Sequence, residues 1–129
     1  MNRLEIKIYY EDTDSGGVVY YANYLRYMER GRTEYLAARG ISVKDLMDQG
    51  TIFVVTRAEV DYKSSVRYGD TILLETSVAE KTGATLLFQH RITDKTTGRL
   101  LVEGKIRMVC ADLSVRPKRL PPEMAERIP

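Results

Sequence analysis

The chain has 129 residues, 43% of them hydrophobic and 29% charged, with a formal net charge of +2. This is the make-up of one ordinary globular domain spanning 1–129, and the small charge argues against nucleic-acid binding by electrostatics alone. No apolar run nears the roughly 20 residues of a membrane helix, and charges interrupt the apolar residues of Met1–Lys7, which predicts no signal peptide.

In chain order, Leu4, Ile6 and Ile8 alternate with Glu5 and Lys7, so 3–10 reads as a half-buried strand. Residues 11–17 are a polar turn with two glycines. The period then lengthens: Tyr24, Met28, Gly31, Tyr35 and Ala38 share one helical face, predicting an amphipathic helix over about 22–39. Asn23 is placed to cap it, Gly40 to end it, and Gly31 lies on the inward stripe, where a missing side chain lets a sheet approach. Residues 42–49 predict a short second helix with Ser42 as its cap. Four β-rich stretches follow, at 51–62, 70–81, 84–94 and 99–112, and the short turns between them, at 68–70, 82–84 and 95–98, demand antiparallel hairpins. The expected class is α+β, with one long helix on a curved antiparallel sheet of about five strands. From Arg116 the chain holds all four prolines and reads as an irregular tail.

Tyrosine is heavy: nine Tyr against two Phe and no Trp, with five of the nine between Tyr9 and Tyr24. That concentration fits either a wet-edged pocket or interface, or core packing with hydroxyls at the rim. The single cysteine, Cys110, excludes an internal disulfide and predicts a reduced, cytoplasmic setting.

The chemistry is concentrated in Glu11-Asp12-Thr13-Asp14-Ser15-Gly16-Gly17-Val18-Val19-Tyr20-Tyr21-Ala22-Asn23-Tyr24, two carboxylates in a glycine-containing loop ahead of a helix start. A helix N-terminus offers unpaired N–H groups and a positive dipole end that can hold a carbonyl oxygen as it becomes an oxyanion. Gly16 and Gly17 can take positive φ and let a ligand approach the backbone. A carboxylate beside that point can act as base or nucleophile. From spacing alone a plain polar turn, with an Asp bonding local backbone, is the better reading. Calcium is disfavoured, because the twelfth position of an EF-hand loop starting at Asp12 is Asn23 instead of Glu.

The segment 11–24 resembles the signature of hotdog-fold acyl-CoA thioesterases, in particular the YbgC (Tol–Pal-associated) and 4-hydroxybenzoyl-CoA branches. The likeness continues through Met28–Leu36, Phe53–Val55, Asp61-Tyr62, Val66–Asp70, Val109–Asp112 and Arg116–Pro121. It implies a long helix wrapped by the sheet, and homodimers or homotetramers joined by sheet edges with sites between subunits. It implies an acyl-CoA substrate, with acyl carrier protein as a further carrier, and no metal or redox cofactor. Asp14 matches the family's catalytic carboxylate, the backbone near Tyr21 its oxyanion donor, and Asp12 a residue ordering the loop. The YbgC branch commonly has His where this chain has Tyr21, a departure that leaves a backbone donor intact. Gly16, Gly17, Val18 and Tyr24 are the expected substrate contacts, and Lys63, Lys118 and Arg119 are candidates for the CoA phosphates, with Arg67 and Arg116 as further basic residues of the same kind.

Other groups read as structural. His90, the only histidine, lies on a predicted strand with no nucleophile motif, and Cys110 lies in an apolar strand. Glu29 with Arg32, and Arg30 with Glu34, are spaced to pair along the helix, with Glu29 a secondary candidate for catalysis. The rival function is a non-catalytic acyl-CoA or acyl-carrier binding module on the same fold. A dehydratase is a third reading that His90 is badly placed to serve.

Overall fold

The computed structural model describes all 129 residues. Strands β1 (Asn2–Lys7), β2 (Ile52–Tyr62), β3 (Thr71–Lys81), β4 (Thr85–Asp94) and β5 (Leu100–Ala111) form one antiparallel sheet in the order β1-β3-β4-β5-β2. The helix α1 (Ala22–Ala37) packs against β1, β3 and β4, and α2 (Val43–Asp48) follows. The alternation in the sequence sets which face is buried: Ile72, Leu74, Leu86, Phe88, Ile92, Val102 and Ile106 point at the helix and are almost wholly buried.

Two glycines allow that approach. A Cβ on Gly31 would lie 2.5 Å from Thr76 Oγ1 and 2.8 Å from Leu74 Cδ2, so the expected close contact of helix and sheet is real. On β5, a Cβ on Gly104 would lie 2.6 Å from Met28 Cε, so the Met28 side chain occupies that space instead. Gly40, at φ 73°, ends the α1 segment, and the Ile41 N–H returns to the Leu36 carbonyl at 2.9 Å. Ser42 caps α2 as expected, accepting the Asp45 N–H at 3.2 Å.

Five expectations are corrected. The turn at 68–70 closes no hairpin, because β2 pairs with β5 at the sheet edge while β3 lies between β1 and β4. Ala38, expected on the inward stripe, is exposed and caps the C-terminus of α1. The residue before α1 is Tyr21, in helical conformation and without a side-chain cap, so Asn23 does not cap the helix. The tail is not wholly irregular: Pro122–Arg127 forms α3, with Met124 and Ile128 fully buried. Lys81 Nζ donates to the Ala125 and Ile128 carbonyls, and the Arg127 guanidinium donates to the Gly40 carbonyl at 3.0 Å. Lysine at a helix C-terminus answers both orphan carbonyls and the dipole, a long-range match that no local pattern announces. Finally, neither Glu29–Arg32 nor Arg30–Glu34 forms an ion pair. Arg32 turns inward and is 8% exposed, while the Arg30 guanidinium lies 5.7 Å from the Tyr27 ring centroid.

The inward turn of Arg32 completes a buried polar chain. Its Nη1 lies 3.4 Å from His90 Nε2, and His90 Nδ1 lies 3.0 Å from Thr76 Oγ1. Arginine can only donate, so His90 Nε2 accepts and the ring carries its proton on Nδ1, donating to Thr76. Burial, then the neighbouring Arg32 charge, pushes the His90 pKa down to about 3, so the ring is neutral at working pH. His90 is a structural group, as its place on the strand suggested.

Candidate active site at the start of the long helix

The segment 9–20 folds into a small hairpin fixed by its own polar groups. Tyr10–Asp12 makes one 3-10 turn, and Asp12 Oδ2 accepts the Tyr9 N–H at 2.8 Å. Thr13 bridges to Val19, and the Asp14 N–H donates to the Val18 carbonyl at 2.9 Å. The Asp14 side chain is exposed and its Oδ1 accepts the Gly16 N–H at 2.8 Å. Gly17 has φ 76°, as a turn of this kind requires, and Gly16 serves differently: a Cβ there would sit 3.2 Å from Asp14 Oδ1. Val18 is half-buried and bridges Arg67, while the Tyr68 N–H donates to the Gly17 carbonyl at 3.1 Å. Asp12 is therefore the ordering residue of the loop.

Beside this hairpin the first turn of α1 is open. The Asn23 and Tyr24 N–H groups donate to the Tyr20 and Tyr21 carbonyls, but the N–H groups of Tyr21 and Ala22 meet no acceptor in the chain. Aromatic rings surround them. Tyr20 and Tyr21 stack at 4.8 Å between centroids, Tyr21 meets Tyr62 edge-on at 6.1 Å, and the Tyr62 hydroxyl reaches the Tyr21 carbonyl at 3.4 Å. Both readings of the tyrosines are thus realised: Tyr20, Tyr21 and Tyr62 are exposed, whereas Tyr24 and Tyr27 are core residues. Tyr24, expected at the substrate, is instead a core residue only 2% exposed. The buried Tyr27 hydroxyl has no hydrogen-bond partner; burial, then the nearby Asp12 carboxylate, raises its pKa. Tyr62 and Asn23 are the site neighbours that sequence reading did not assign. Asp61-Tyr62 in the resembling segments was the one signal for the former.

The basic residues do not gather within one chain. Lys63 is exposed just past β2, and its N–H donates to the Leu101 carbonyl at 2.8 Å. The Lys118 N–H donates to the Cys110 carbonyl, at the other end of β5, and Arg119 lies against Gly83. Those ends are nine residues apart, or roughly 30 Å along a strand. Lys63 shares the end that holds Tyr21 and Tyr62; Lys118 and Arg119 do not. Cys110 is buried, and burial raises its thiol pKa against the pull of Lys118, so it is no ready nucleophile. No group of three or more His, Cys, Asp or Glu could hold a metal ion.

A family model described as the thioesterase-like superfamily matches residues 9–128. The chain belongs to the thioesterase-like superfamily. It is 38% identical over 121 residues to the acyl-CoA thioesterase YbgC of Haemophilus influenzae, covering 92% of this chain and 88% of that one. Among solved structures, the DHNA-CoA thioesterase of Staphylococcus aureus is 29% identical, with a TM-score of 0.92 over 97% of this chain and 86% of that one. A 4-hydroxybenzoyl-CoA thioesterase, solved as an aspartate mutant with 4-hydroxybenzoyl-CoA, has a TM-score of 0.90 at 18% identity, covering 99% of this chain and 98% of that one. That likeness speaks to the fold. The thioesterase-like fold expected from the residues is the fold observed.

Proposed function

We infer that this chain, an acyl-CoA thioester hydrolase like its 38%-identical relative, performs hydrolysis with Asp14 as its working carboxylate. The observation that carries the assignment is the pairing of an exposed carboxylate, on a hairpin tied to α1, with two N–H groups that have no acceptor in the chain. The thioester oxygen accepts from Tyr21 and Ala22, and each such donor contributes on the order of 3 kcal/mol once the oxygen carries charge. Asp14 removes a proton from water, whose oxygen bonds to the carbonyl carbon. The carbon–sulfur bond then breaks, and the proton leaves with CoA as its thiol. Direct attack by Asp14 reaches the same products through a mixed anhydride that water then cleaves.

The assembly belongs to the same proposal. Strand β2 is a sheet edge, and residues 56–59 are exposed on both faces. A homodimer or homotetramer joined there covers it, and brings the remote Lys118 and Arg119 within reach of a CoA bound at the neighbouring protomer's helix start. A reduced, cytoplasmic setting fits the lone buried Cys110, and no helix is long and apolar enough to cross a membrane.

Asp14→Asn is the test, read as thiol release from short, long and aromatic acyl-CoAs and from an acylated carrier protein. It keeps the shape and removes the charge, so kcat falls by about 10²–10⁴-fold with the melting temperature unchanged. Wild-type turnover in that variant removes Asp14 from the reaction. Acyl-CoA binding without thiol release by the unmutated protein leaves a binding module.

A further inference from the structure

We propose that Asn23 is a positioning residue for Asp14, acting through the Asp12 carbonyl. The inference rests on Asp14 being the working carboxylate. The polar bonds of the loop divide into two sets. One set lies within the hairpin: Thr13 Oγ1 to the Tyr10 carbonyl at 2.7 Å, Asp14 N–H to the Val18 carbonyl, and Gly17 N–H to the Asp14 carbonyl at 3.1 Å. These fix its shape and leave its position on the protein free. The other set anchors it. The far strand is held by the Val19 N–H on the Val66 carbonyl at 2.7 Å and by the Tyr68 N–H on the Gly17 carbonyl.

The near strand, which carries Asp14, is tied to the helix at one atom. The Asp12 carbonyl oxygen accepts the Tyr20 N–H at 3.1 Å within the hairpin and, from α1, Asn23 Nδ2 at 2.8 Å. The second is the shorter, is half-buried, and joins a side chain of α1 to the carboxylate strand. Asn23 lies one residue past Ala22, whose N–H faces no acceptor, so the bond fixes the carboxylate strand relative to the oxyanion donors themselves. A displacement of about 1 Å between a reacting group and its target is enough to cost on the order of 10²-fold in rate.

An ordinary structural asparagine predicts something different, and Asn23→Asp separates the two. The aspartate is close to isosteric and is favoured in the first turn of a helix by the dipole, so the fold keeps its stability. Once ionised it cannot donate to the Asp12 carbonyl and repels it. With the acyl-CoA that the unmutated protein turns over fastest, kcat falls about 10–100-fold, KM stays within about threefold and the melting temperature is kept. In an Asp14→Asn background the same change costs less than about twofold, because there is no carboxylate left to position. Asn23→Ala gives the same pattern if the aspartate variant folds poorly. Wild-type kcat in Asn23→Asp, or an equal loss in both backgrounds, overturns the inference. Wild-type turnover in Asp14→Asn alone fails the Asp14 assignment itself, whatever Asn23 does.

Discussion

The middle of α1 and its start are built on opposite terms. In the middle, Gly31, Arg32, Thr76 and His90 satisfy one another inside a single chain, with the three side chains buried and the glycine leaving room for the Thr76 hydroxyl. At the start, two N–H groups have no acceptor, the Asp14 carboxylate holds only its own turn, and three tyrosine rings stand exposed. One region uses its polar groups to fix helix against sheet. The other keeps polar and aromatic groups available, which is where binding energy and catalysis come from.

If that division is right, changes in the middle alter stability and spare the rate, and changes at the start do the reverse. The largest expected stability effect is in pH dependence. His90 has a folded pKa of about 3, below its usual 6.5, so the unfolded chain takes up a proton that the folded chain refuses. Its contribution is complete above about pH 6.5 and is lost as pH falls toward 3, at up to about 1.4 kcal/mol per pH unit. Denaturant melts of the unmutated protein and His90→Gln should therefore differ in slope across that window and run parallel above it. Next is Gly31→Ala, whose methyl meets Thr76 Oγ1 at 2.5 Å and displaces it from His90. A loss of about 1–3 kcal/mol with kcat retained at 25 °C is expected, and a kcat loss of tenfold would erase the division between the two regions. The smallest is Gly17→Ala in the hairpin. At φ 76° a side chain is strained although space is open, so stability drops by about 1 kcal/mol while kcat suffers more than it does in Gly31→Ala.

The same contrast explains what was legible in the sequence. The inward positions Tyr24, Met28, Gly31 and Tyr35 of α1, the Ser42 cap, the glycine stop at Gly40 and the hairpins of β3–β5 are local patterns with fixed periods, and they read correctly. The Asp14 loop is legible as a motif because its turn chemistry lies within a few residues. What was hidden is every bond between distant segments. Asn23 satisfies a carbonyl eleven residues back instead of capping its own helix, and Arg32 prefers His90, fifty-eight residues on, to its helical neighbour Glu29. Lys81 caps a C-terminal helix that a proline-rich tail did not suggest. The position of the basic residues was likewise invisible, because spacing says nothing about which end of β5 a loop returns to.

The bare margin of β2 carries a further consequence. A strand of eleven residues with one unpaired side is a template for any passing chain, and its first half, Ile52–Val55, is wholly apolar. Arg57, Glu59 and Asp61 interrupt the second half with charges of both signs, and Arg57 and Glu59 are ion-paired. Such gatekeepers discourage adhesion between unrelated strands during synthesis. A mate of the same sequence, running antiparallel and paired about Ala58, would set each Arg57 against a Glu59, a register the margin tolerates where pairing about Glu59 would set like charges together.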